Sequence, residues 1–103
     1  MERTEQIKQF LKESPNDNFL IHALALEYVK AGDDVQAQQW FEQNLDHSPG
    51  YIATYYHLGK LQERTGKTEE AIATYQKGME QAKAANDQHA FSELRSVYEE
   101  LTY

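Results

Sequence analysis

A set of spaced residues recurs in this chain at a step of 34 positions. Ser14-Pro15 recurs as Ser48-Pro49, Gly32 as Gly66, and Leu24-Ala25 as Leu58-Gly59. Ala37 with Phe41 four positions later recurs as Ala71 with Tyr75. A fixed period of this length marks a stacked array, in which one repeat cannot bury its apolar face alone and its neighbours must cover it. That condition constrains the fold more tightly than composition does, because equivalent faces must return at a regular step along the chain.

The punctuation between the apolar positions is that of helices. Ile7, Phe10 and Leu11 share one face of a first helix that stops before Ser14-Pro15, since the residue ahead of a proline avoids helical angles. Asn16, Asp17 or Asn18 caps a second helix with Phe19, Ile21, Leu24, Ala25 and Tyr28 as its apolar positions, and Gly32 ends it in a tight turn. Asp33 and Asp34 open a third helix carrying Val35, Ala37, Trp40, Phe41 and Leu45, with acidic side chains at the positive end of the helix dipole. Trp40 lies one position off the core site Phe41, which predicts partial exposure. Ser48-Pro49-Gly50 then breaks the chain. A fourth helix carries Ile52, Tyr55, Leu58, Gly59 and Leu61 and turns at Gly66. A fifth, capped by Thr68, carries Ala71, Ile72, Tyr75 and Met79. The position matching Pro49 is Lys83, so this helix is expected to run on to about Ala85. Asn86-Asp87 caps a sixth with Ala90, Phe91, Leu94, Val97, Tyr98 and Leu101. No segment alternates with period two, so no sheet is expected.

These residues resemble the tetratricopeptide repeat, whose pattern runs from a large residue through Leu-Gly and Tyr to Ala, Phe and Pro. In the first repeat those places are Ile21, Leu24, Ala25, Tyr28, Ala37, Phe41 and Pro49. In the second they are Tyr55, Leu58, Gly59, Gln62, Ala71, Tyr75 and Lys83, with Gln62 and Lys83 departing from the pattern. The resemblance implies an all-α fold of about six helices, paired antiparallel and stacked as a short right-handed superhelical solenoid. It divides a single domain over 1–103 into an N-terminal capping helix (1–15), repeats at 16–49 and 50–85, and a C-terminal capping helix (86–103). Small residues at 25, 37, 59 and 71 let paired helices approach closely. Polar residues on the outer sides of the end helices are what a closed array needs.

Composition narrows the function. The formal charge of −7 repels phosphate backbones and sets aside nucleic acid as a partner. No cysteine means no disulfide, thiolate nucleophile or sulfur-ligated metal. Neither a secretory signal nor a window long enough to span a membrane is visible, so a cytoplasmic protein is expected. Gly66-Lys67-Thr68 imitates the end of a phosphate-binding loop, but the earlier glycine is replaced by Leu61 and no strand precedes it. His22, His47, His57 and His89 form no ligand pair on one helix and read as surface or groove residues. The neighbouring acids at 33–34, 69–70 and 99–100 sit at helix ends, and no nucleophile elbow is present. The expectation is a protein with no catalytic site, cofactor or metal.

The resemblance supplies the positive reading. In such proteins the first helix of each repeat lines a concave surface that holds a peptide. The lining positions here are Phe19, His22, Leu26, Val29 and Lys30 in the first repeat, and Ala53, Tyr56, Lys60, Glu63 and Arg64 in the second. His89, Ser92 and Ser96 extend the wall. Lys30, Lys60 and Arg64 predict a preference for acidic or carboxylate-terminated peptides, with Phe19, Leu26 and Tyr56 giving apolar contact. Domains of this family that grip chaperone tails carry lysine and asparagine where this chain has His22 and Leu26, so that subtype is not expected. The predicted function is a protein-interaction adaptor. A second reading is self-association through Trp40, Tyr103 or a swapped end helix; a small-ligand binder or enzyme, which needs a closed pocket with converging polar groups, is the least expected.

Overall fold

A computed structural model describes residues 2–103, which form six α-helices and, among the described residues, no strand. They fall into two compact units. Unit one, ending at Ser48, holds α1 (Glu2–Glu13), α2 (Asn18–Lys30) and α3 (Asp34–His47). Unit two, Pro49–Tyr103, holds α4 (Ala53–Arg64), α5 (Thr68–Ala84) and α6 (Gln88–Thr102).

The turns repeat as the sequence does. After α2, Gly32 takes φ +77°, its N–H donates to the Val29 carbonyl, and the Asp33 N–H donates to that of Tyr28. After α4, Gly66 at φ +80° closes the same pair of bonds onto Glu63 and, through Lys67, onto Gln62. This double closure satisfies helix-end carbonyls that would otherwise lack donors, and a residue with positive φ makes it possible. At the end of α5, Asn86 adopts φ +60° and the same bonds form to Lys83 and Ala82, so asparagine does there what glycine does twice before. Asp17, Asp33 and Asp87 cap the helices that follow them, each carboxylate accepting a backbone N–H three residues on. Thr68 is a correction: it is the first residue of α5, and Lys67 precedes it with no side-chain capping bond.

In unit one, α2 packs against both α1 and α3. Ile21, Leu24, Ala25, Ala37 and Phe41 are fully enclosed, and Ile7 and Leu11 bring α1 onto α2, with the Lys8 ammonium 5.7 Å from the centre of the Tyr28 ring. Phe10 and Val35, expected on buried faces, are 60% and 70% exposed. Helix α1 packs chiefly against α2, so it buries only the narrow Thr4, Ile7, Leu11 stripe, and Phe10 falls outside it. Val35 lies in the first turn of α3, two residues before the buried Ala37 and so on the other side of the helix. Trp40 is half-buried, as its offset from Phe41 predicts.

In unit two, α5 packs against both α4 and α6, and α4 also touches α6. Tyr55, Leu58, Leu61, Ala71, Tyr75, Ala82, Leu94 and Val97 form the core. Two glycines set the spacing. A Cβ on Gly59 would lie 2.6 Å from Cζ of Tyr75, and one on Gly78 would lie 2.7 Å from Cβ of Tyr55 and 2.9 Å from Leu94 Cδ1. At Gly78, side chains of both α4 and α6 therefore press on the backbone of α5. A buried hydrogen bond from the Thr74 hydroxyl to Gln62 Oε1, 2.6 Å, ties α5 to α4.

Candidate functional site

On α4 the buried positions Thr54, Tyr55, Leu58, Gly59, Leu61 and Gln62 occupy one side. Ala53, Tyr56, Lys60, Glu63 and Arg64 run along the other, at the i, i+3, i+7, i+10 and i+11 spacing of one helix stripe. Ala53, Lys60 and Arg64 are exposed, and Tyr56 and Glu63 are half-buried. Glu63 is the fixed point of the stripe. Its Oε2 accepts a hydrogen bond of 2.5 Å from the Tyr75 hydroxyl and lies 3.8 Å from the Lys60 ammonium. Burial, reinforced by this carboxylate partner, raises the Tyr75 phenol far above its ordinary value, with Tyr56 and Glu100 of α6 adding in the same direction. The Tyr75 hydroxyl thus stays protonated and remains a donor to Glu63. The Tyr56 ring stands nearly perpendicular to that of His57, at 82° and 5.6 Å. Desolvation lowers the His57 pKa, and Glu93 of α6 partly offsets this.

The stripe on α2 has the same spacing and different chemistry. Phe19 is 70% exposed, Leu26 and Val29 are half-buried, and Lys30 is exposed. His22, expected at the surface or in a groove, is buried with its ring 5.8 Å from that of Phe41. Lys30 lies 3.4 Å from Glu27 Oε2, and that oxygen also meets Nε of Arg3 at 3.4 Å. The cations read from the sequence as a positive face therefore include two, Lys30 and Lys60, that already face carboxylates. On α6, His89, Ser92 and Ser96 are exposed, and His89 Nε2 lies 3.4 Å from Glu93.

The fixed carboxylate at Glu63 was not anticipated, yet the repeat carries a signal for it. Moving back 34 positions, Glu63 and Tyr75 become Val29 and Phe41. The second repeat gains a carboxylate and a phenol hydroxyl together, and the structure joins them. Gly66-Lys67-Thr68 is a helix-ending turn whose Gly66 and Lys67 N–H groups are taken up by backbone carbonyls. Among the described residues, no three His, Asp or Glu side chains come together to hold a metal ion, and no helix is long and apolar enough to cross a membrane.

Helices of this length, paired through small residues and repeated at a 34-residue step, define an all-α helical-repeat protein. A tetratricopeptide repeat model matches residues 52–84. A tetratricopeptide repeat domain protein from Salinibacter ruber, solved by NMR, is 40% identical with a TM-score of 0.81, over 84% of this chain and 88% of that one. The chain belongs to the tetratricopeptide repeat family. Photosystem I assembly protein Ycf3 from Rippkaea orientalis is 31% identical over 73% of this chain, which spans about half of that relative (48%). The TPR2B domain of yeast Sti1, in complex with pHsp70, has a TM-score of 0.88 over 96% of this chain and 79% of its own, at 14% identity, a likeness of fold.

Proposed function

We propose that this chain is a non-catalytic adaptor that holds a peptide segment of another protein on the outward stripe of α4 in unit two; the stripe of α2 in unit one is a separate, more apolar surface. The observation that carries the reading is the α4 stripe itself. It is accessible, it displays an aromatic ring, and it includes a carboxylate held in place from within the core. A recognition surface gains affinity when its polar groups need no reordering on binding, and Glu63 meets that condition. The family and the complex of the Sti1 domain with pHsp70 support the same reading.

Selectivity for acidic segments is weak in this proposal. Lys30 and Lys60 already face Glu27 and Glu63, whose negative charge offsets part of their attraction for an incoming carboxylate. Exposed ion pairs are worth roughly 0–1 kcal/mol, so each lysine gives a preference of no more than about fivefold. The test is selection from a displayed random-peptide library on immobilised protein, followed by fluorescence anisotropy of the recovered peptides. Tyr56→Ala and Glu63→Gln should each weaken binding at least about tenfold, and Phe19→Ala less, with helical content unchanged. Recovered peptides whose affinity ignores both α4 substitutions would overturn the assignment.

A further inference from the structure

The departure of the second repeat from the first has a structural product. Helix α3 is 14 residues long and α5 is 17, the extra three being Ala82, Lys83 and Ala84, where the first repeat has already broken at Ser48-Pro49. This added turn walls a groove of about 320 Å³ between α5 and α6 within unit two, lined by Gln76, Met79, Glu80, Lys83, Phe91 and Tyr98. A second recess of about 330 Å³ at the α5–α6 turn shares Lys83 and Phe91 with it, so the two are continuous. Residues 76, 79, 80 and 83 fall on one stripe of α5 and 91 and 98 on one stripe of α6. The floor is apolar and half-buried, formed by Met79, Phe91 and Tyr98, and a hydrogen bond of 3.1 Å from Gln76 Nε2 to the Tyr98 hydroxyl spans one end.

Charge placement on the rim selects the occupant. Glu80 and Lys83 are both exposed, one turn apart, and neither enters an ion pair among the described residues. By contrast, Lys30, Lys60 and Arg95 each face a carboxylate of their own helix. One unpaired acid and one unpaired base side by side on the α5 edge of an apolar strip make a self-complementary surface. A two-fold axis passing between positions 80 and 83 sets Glu80 of one copy against Lys83 of the other, and the converse, while the two apolar floors face each other. We propose that the α5–α6 groove of unit two pairs with the same groove of a second copy of this chain, forming an isologous dimer that leaves the α4 stripe open. A two-helix face is small beside the ~800 Å² per partner of a standard stable interface, so association is expected to be weak and to depend on concentration.

Sedimentation velocity on the whole chain, from low micromolar to near-millimolar concentration, reads the equilibrium directly. Wild type should move from monomer to dimer across that range. Glu80→Lys and Lys83→Glu should each weaken association about tenfold by setting like charges face to face. Mixing these two variants should restore association to within about threefold of wild type, since each then presents what the other needs. Phe91→Gln, at a half-buried position, should weaken it as well, with circular dichroism confirming an intact fold. A chain that stays monomeric throughout, charge variants that dimerise as wild type does, or a mixture that fails to associate would each overturn the proposal.

Discussion

Gly59→Ala tests the packing of unit two most sharply, because helix propensity and tertiary contact oppose each other there. In an exposed helix interior the change stabilises by about 1 kcal/mol, since glycine loses more backbone freedom on folding. At position 59 the new methyl would lie 2.6 and 2.7 Å from ring carbons Cζ and Cδ1 of Tyr75, a side chain with no exposed surface. The ring cannot swing away without breaking its hydrogen bond to Glu63. Overpacking costs about 1–3 kcal/mol, and an enclosed ring places this case in the upper half of that range. Weakening the bond to a charged acceptor adds about 1 kcal/mol, discounted because Glu63 is partly solvated. The net loss is about 2–3 kcal/mol, or roughly 10 °C in Tm for a chain of this size. Urea and thermal unfolding followed by circular dichroism measure it, with Trp40 fluorescence as a second probe of whether unfolding is two-state. Tyr75→Leu should make Gly59→Ala nearly free, a coupling of about 2 kcal/mol in a double-mutant cycle. A Gly59→Ala protein as stable as wild type would refute the close-packing argument.

Gly66→Ala meets no atom within 4 Å but keeps φ at +80°, so it should cost about 1–2 kcal/mol, and Gly66→Asn should recover part of that, both read from urea midpoints. Thr74→Val removes the donor to the buried Gln62 Oε1 and should destabilise by about 1–3 kcal/mol, more than the same change at an exposed threonine. His57 gives a pH dependence of definite sign. Burial lowers its folded-state pKa below the ordinary 6.5, so the unfolded chain binds the proton first. Stability should therefore fall as pH drops from neutral through that ordinary value toward the folded one. Subtracting the Tm–pH curve of His57→Gln from that of wild type isolates the effect from the other histidines, and a difference that is flat across this interval would refute it.

The fold was legible because its determinants are local and come in duplicate. Gly32 and Gly66 announce their turns at the same phase, and the small residues 25, 37, 59 and 71 announce where helices touch. All four are enclosed or, at Gly59, pressed against an aromatic ring. What the periodicity could not carry was the width of each buried face. Phe10 and Val35 are apolar and in helical phase, yet both are exposed, because burial depends on how many neighbours a helix has and period reports only its direction. Thr68 has the chemistry of a capping residue, but a backbone turn closed through Gly66 places it one position inside the helix.

The candidate site divides along the same line. Its stripe positions follow from the 34-residue step, so the sequence alone places Tyr56, Lys60 and Glu63 together on α4. Their electrostatic state follows only in part, because some of it depends on side chains far along the chain. The Lys60–Glu63 pair is an i, i+3 contact that the sequence could have shown, whereas the hold of the Tyr75 hydroxyl, twelve residues on, upon Glu63 comes only with the packing of α5 on α4. The most informative sequence signal was thus the difference between the repeats. Where both copies agree, as at Leu24 and Leu58, the shared residue serves packing that every repeat must satisfy. Where they part, as at Val29 and Glu63, Phe41 and Tyr75, or Pro49 and Lys83, the second copy has acquired a feature that stacking does not require. Those departures build the fixed carboxylate of α4 and the lengthened wall of α5. In a repeat protein the common pattern specifies the scaffold, and the function is to be sought at the positions where one copy differs from the other.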